Sequence, residues 1–138
     1  MKRFIGILLV LCLFAAPIYA SADSADYEIM PVYEVVSDFD CNFVISASGK
    51  ASVNFNSYLM NNAQSIRIET KIQKRFLLVF WNDVDGGQWT DSFTTTEGSF
   101  SHTLQLEKTG RYRAVFHIYA VGTDGSVDDF ELVKEYDY

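Results

Sequence analysis

Few residues in this 138-residue chain carry side chains suited to catalysis or metal binding, and their spacing works against most of that chemistry. The two histidines, His102 and His117, are too few for a zinc site unless Cys or carboxylate ligands join them. Cys41 stands between Phe39 and Phe43, which suits an inert core thiol. A reactive thiol needs an accessible, electropositive setting. Paired carboxylates hydrolyse glycosides, and 18 acidic residues are present, but nothing in their spacing selects a pair. The stretch NDVDGGQW sets Asp83 and Asp85 ahead of Gly86, as a calcium loop does. Counted from that glycine, the first ligand position is Trp81 and the twelfth is Ser92, where an oxygen ligand and a bidentate Glu are required. Turn chemistry explains the stretch better. Asp124, Asp128 and Asp129 form a looser cation candidate. The expectation is a protein without catalytic residues, metal or cofactor.

Recognition is the stronger candidate chemistry. Residues 107–121, EKTGRYRAVFHIYAV, interleave Arg111, Arg113, His117 and Tyr119 with apolar residues, and Arg67 and Lys71 alternate in the same way upstream. Arg and Tyr are enriched at binding hot spots, so these six residues define a candidate interaction face. The competing reading is cross-strand charge pairing, at about 0.2–1 kcal/mol per pair, and a charged outer sheet face needs no partner. Trp81 and Trp89, with Tyr58 and Phe93 nearby, suggest a flat platform for sugar rings. Aromatics at this density serve more often as core.

The elements that must position these residues are strands. In DFDCNFVISA, Phe39, Cys41, Phe43, Ile45 and Ala47 fall on one face and Asp38, Asp40, Asn42 and Ser46 on the other. Ser48-Gly49-Lys50 turns the chain, and Val53 and Phe55 then point inward, completing a hairpin. After a break at Asn61-Asn62, Ile66, Ile68 and Ile72 point inward while Arg67, Glu69, Lys71 and Gln73 point outward. The apolar run FLLVFW (76–81) reads either as a strand covered on both faces or as one strand ending and another starting. Asp83 to Gly87 is expected to turn the chain, with QWTDSF returning and TTTEGS as a loop. Phe100, His102, Leu104 and Leu106 then share a face, as do Tyr112, Ala114, Phe116, Ile118 and Ala120, and GTDGS leads into VDDFELVKEY. No stretch shows a sustained helical period. Seven or eight short strands in about 100 residues point to an all-β antiparallel sandwich.

The first 22 residues have the three parts of a cleavable secretory signal peptide. Lys2 and Arg3 start it, Phe4 to Ala16 form its apolar stretch, and Ala20-Ser21-Ala22 offers the cleavage site. The apolar run falls short of the roughly 20 residues of a membrane span, and no second such segment follows. Residues 23–31 read as a flexible acidic leader and 32–138 as one domain. The expectation is a secreted protein with no stable membrane anchor. Subtracting Lys2 and Arg3 from 11 basic residues leaves 9 against 18 acidic ones, a net charge of −9. That balance excludes a nucleic-acid partner, whose phosphates need a basic stripe. Cys12 leaves with the signal peptide, so Cys41 has no internal partner and no disulfide is expected.

Gly110-Arg111-Tyr112-Arg113-Ala114 resembles the start of strand F in immunoglobulin-like and fibronectin type III domains. The resemblance makes Tyr112 a tyrosine corner, its hydroxyl returning to backbone a few residues upstream. Ala114 takes the place of the second disulfide cysteine of antibody domains. More widely, the chain resembles small secreted proteins of Gram-positive bacteria with a single immunoglobulin-like domain. The resemblance rests on the signal peptide, Met30-Pro31 before Tyr33, Ser48-Gly49-Lys50-Ala51, Ile72-Gln73-Lys74 and Gly110-Arg111-Tyr112-Arg113. Phe76 to Ser99 departs from that pattern, and the resemblance carries over no functional residue. The functional expectation is a non-enzymatic binding or interaction module whose extracellular partner, protein or glycan, is unknown. The alternatives are glycan binding through surface aromatics, and a structural part in a larger assembly joined through an exposed edge strand.

Overall fold

Period-two alternation builds the core, and it does so from two sheets. The computed structural model describes residues 32–138, so the signal peptide and the 23–31 leader lie outside the described residues. Seven strands form, with no helix among the described residues: β1 (Val36–Ile45), β2 (Lys50–Leu59), β3 (Ala63–Phe76), β4 (Phe80–Phe93), β5 (Glu97–Gln105), β6 (Arg111–Gly122) and β7 (Val127–Asp137). One antiparallel sheet has the order β1-β2-β5 and the other β4-β3-β6-β7. The chain changes sheet after β2, after β4 and after β5, which makes an immunoglobulin-like sandwich. Phe43, Phe55, Ile66, Ile68, Ile72, Phe116 and Ile118 fill the space between the sheets, each nearly or fully buried. Cys41 is buried and unpaired, and no disulfide links the described residues.

Each open side of the sandwich is closed by particular side chains. Between β1 and β7, the ring of Tyr33 lies 4.4 Å from that of Phe130 and 5.8 Å from that of Phe39. Between β4 and β5, Trp89 stacks on His102 at 4.9 Å with the planes 2° apart. His102 Nε2 and an Asp91 carboxylate oxygen are 2.8 Å apart. The expected partly buried, hydrogen-bonded His102 is what the fold contains.

β4 corrects one expectation. Asp83 to Gly87 does not turn the chain; it lies inside the strand. Lys71 pairs with Gln88 and Gln73 with Asp83, so the four residues Val84–Gly87 bulge out opposite Ile72 alone. The bulge folds over the sandwich's open side. Gly86 adopts φ 74°, and a Cβ on Gly87 would stand 3.2 Å from both Ile72 and Leu104. Glycine is required at the first position for its dihedral and at the second for close approach. The true turn falls earlier, at Leu77–Val79, where FLLVFW splits between the end of β3 and the start of β4. Likewise, Glu97–Ser99 belongs to β5, which shortens the expected TTTEGS loop.

Tyr112 is 2% exposed, and its hydroxyl donates to the Lys108 carbonyl at 2.5 Å. This is the corner that the sequence resemblance implied. It fixes the loop before β6 and sets that strand's phase, sending Arg111, Arg113, His117 and Tyr119 outward.

Candidate functional site

The six candidate interaction residues do meet on one surface, the outer face of the four-stranded sheet. Register sets Arg67 beside Tyr119, Glu69 beside His117, Lys71 beside Val115 and Gln73 beside Arg113. On the other side of β6, Arg113 faces Glu135, His117 faces Glu131 and Tyr119 faces Asp129. A shallow groove of about 610 Å³ crosses this face, lined by Glu69, Lys71, Gln88, Thr90, His117 and Glu131 among others.

Most of these side chains are already engaged within the sheet. Arg111 meets Glu135 at 2.6 Å and Asp137 at 3.8 Å. His117 Nε2 lies 2.6 Å from Asp129, and Arg67 lies 3.4 Å from Glu69 with 5.8 Å to the Tyr119 ring. Arg113 donates to the Gln73 side-chain carbonyl at 2.7 Å, and the Gln73 amide donates to Asp83 at 2.6 Å. Gln73 was expected to face solvent; it does lie on the outer face, but bridging three strands leaves it buried. Pairing within the sheet thus accounts for Arg67, Arg111 and His117, whereas Arg113 meets a neutral amide.

The two tryptophans do not form a platform. Trp81 lies on the outer face beneath the Arg113 guanidinium, 4.4 Å from ring centroid to carbon. Trp89 faces inward and packs on the core. Eight residues separate them, which in a regular strand puts two side chains on one face. The bulge breaks that rule: Asp83 and Gln88 are five apart yet pair with Gln73 and Lys71, which share the outer face. An odd number of extra residues inverts the alternation.

The loose cation candidate is also occupied by protein. Asp128 is 6% exposed, and its carboxylate accepts from the backbone N–H groups of Glu34, Val35 and Val36 at 2.9, 2.8 and 2.8 Å. Asp129 is engaged with His117. The Asp124 carboxyl is held at about 2, first by the Ser126 hydroxyl, then by the Ser126 N–H and the Asn62 amide. No cluster of three metal-ligating side chains occurs among the described residues. Burial pushes the Cys41 thiol upward, which Lys134 opposes and Asp40 reinforces, so the thiolate is disfavoured.

What sequence reasoning left unassigned is the tip of the β3–β4 hairpin. Phe76, Leu77, Leu78, Val79 and Phe80 are consecutive and each is between 55% and 79% exposed. Phe76 pairs with Phe80 across the hairpin, and the three residues between them make the turn. The Arg75 guanidinium donates to the Leu78 carbonyl through both Nε, at 2.8 Å, and a terminal nitrogen. Leu77 has φ 54°, the left-handed region that glycine or asparagine ordinarily occupies in a turn. Isolated surface apolar residues need no explanation, but a contiguous exposed patch marks an interaction site. The FLLVFW run was the available signal, though composition alone does not tell a buried run from an exposed one.

No protein-family model matches the chain, and no curated protein matches it. Its class is therefore defined by geometry, as a seven-stranded immunoglobulin-like β-sandwich with one apolar hairpin tip.

Proposed function

We propose that this chain is a secreted, non-enzymatic binding module, and that it binds through the Phe76–Phe80 hairpin tip. The observation that carries the reading is the exposure of five consecutive large apolar side chains on a turn that covers none of the core. Leu77 adds weight, because a left-handed leucine costs conformational energy at a site where a small polar residue would not. The three-plus-four division of strands, with β4 beside β3, suits a fibronectin type III-like scaffold. Such a scaffold is rigid enough to hold a projecting hairpin.

The outer sheet face is the weaker candidate, since Arg67, Arg111 and His117 lie against carboxylates of the same sheet. Glycan binding through Trp81 and Trp89 loses its main support because the two rings face opposite ways. The assembly alternative is disfavoured at β4, where the bulge interrupts the exposed edge.

The test compares Leu78→Asp at the tip with Lys71→Glu on the sheet face, in sedimentation with cell-envelope fragments. The tip substitution is expected to abolish association and the face substitution to leave it within about twofold. Loss only with Lys71→Glu would move the site to the sheet face and end this reading.

A further inference from the structure

We infer that the surface the hairpin tip engages is a phospholipid bilayer with anionic headgroups; this rests on the reading of the tip as the binding element. Three features of the tip fit a lipid interface better than a folded partner.

The first is the layering of residue types. Beyond the Phe76–Phe80 pair every side chain is Leu or Val, and immediately behind it stands Trp81, with the Arg113 guanidinium over its ring. Apolar tip, then indole, then cations is the order met on passing from hydrocarbon through the interface to the headgroups. About two residues of strand and turn project past the Phe76–Phe80 pair, which at ~3.3 Å per residue is about 7 Å. Interfacial elements insert about 5–10 Å.

The second is the state of the backbone. Polar backbone groups entering hydrocarbon must already be satisfied. The Leu78 carbonyl, at the apex, receives the Arg75 guanidinium, and Phe76 and Phe80 are ladder partners. The carbonyl at the apex is thus already satisfied before any surface is met.

The third is local charge. Among the described residues, Arg67 and Arg111 lie against carboxylates, whereas Arg75 and Arg113 meet no described carboxylate within 4.0 Å. Arg75 is turned into the tip, onto the Leu78 carbonyl, and Arg113 lies over Trp81 just behind it. Lys74 sits over the Tyr112 ring in the same region. Of the acids nearby, Asp83 accepts from Gln73 and Gln88, Glu135 and Asp137 lie against Arg111, and Asp85 and Glu107 line a hollow with Lys74. The surface behind the tip thus offers the Arg113 cation to phosphate oxygens although the chain as a whole is acidic.

Flotation with vesicles of phosphatidylcholine containing phosphatidylglycerol tests the inference. Leu78→Asp carries the same N-terminal segment as the unaltered chain, so any difference between them belongs to the hairpin. The unaltered chain is expected to float, and Leu78→Asp to lose about tenfold or more of its bound fraction. Removing the anionic lipid or raising the salt should weaken binding several-fold. Leu77→Asn, which relieves the backbone, should fold at least as well and still bind less. Trp81 emission should shift to the blue with vesicles and be quenched by brominated acyl chains. Equal flotation of Leu78→Asp and the unaltered chain, or no flotation of either, overturns the inference. Tip-dependent binding to lipid-extracted envelope, without flotation, overturns the lipid assignment but leaves the tip as the binding element. Tip-dependent self-association without flotation assigns the tip to a second copy and overturns it as well. Envelope binding that survives Leu78→Asp removes the underlying reading instead.

Discussion

β3 ends in two opposite ways. Near Ala63 the chain is sealed by polar contacts: Asp128 takes three backbone N–H groups, and Asn62 reaches Glu34, Asp124 and Ser126. Near Phe76 the chain leaves the sheet with its apolar side chains in water and Leu77 in an unfavourable dihedral. The first end is tied down by hydrogen bonds, leaving only the Asn62 Oδ1 buried without a described partner, while the second keeps an unfavourable dihedral. A region that only holds the fold together has no reason to keep exposed leucines on a strained turn, whereas a contact surface does.

That contrast is most directly broken by Asp128→Ala. Three N–H groups would lose their charged acceptor, and a destabilisation of about 3 kcal/mol is expected in urea unfolding. A loss under 1 kcal/mol would mean that the Asp128 seal is ornamental and that the two ends do not differ as described. Tyr112→Phe removes the corner hydroxyl and should cost about 1 kcal/mol, measured in the same way. Leu77→Gly tests the strained end, and here the sign reverses: stability should rise by about 0.5–1 kcal/mol as the dihedral penalty disappears. An unchanged or lowered midpoint would show that the turn is not strained.

The smallest effect is that of Asp124. Its carboxyl lies at about 2, below the ordinary 3.8, so it favours the folded state fully above the ordinary value. That contribution is lost as the pH falls from about 4 toward 2. Asp124→Asn should therefore flatten the acid limb of a melting-temperature profile over that range and leave the profile above pH 5 unchanged in shape. A variant whose acid limb superposes on that of the unaltered chain would show that the Ser126 and Asn62 contacts do not hold the carboxylate.

Alternation made most of the scaffold legible in the sequence. Ile66, Ile68, Phe116 and Ile118 could be assigned to the core because period two is a local property, and Tyr112 because the residues around it repeat a known corner. The misreadings share one cause. Asp83 to Gly87 looks the same as a turn or as a bulge, and what decides is the approach of Ile72 and Leu104, which lie far away in sequence. The error propagated: without the bulge, Trp81 and Trp89 appear to share a face. Asp128 resembled any surface acid, since the N–H groups it serves lie more than 90 residues earlier. The tip escaped for a related reason, because hydrophobicity is read from sequence but exposure is not.

The buried Cys41 has a consequence for the lifetime of the molecule. No second cysteine is present among the described residues to trap an opened chain within itself. Under oxidising conditions each global opening exposes a thiol that the native state keeps silent, and two opened molecules can join through it. Survival is then governed by the fraction of molecules that stand open and by how concentrated the protein is. Disulfide-linked dimers should accumulate with the square of the opened fraction, which makes this one side chain a clock for the fold.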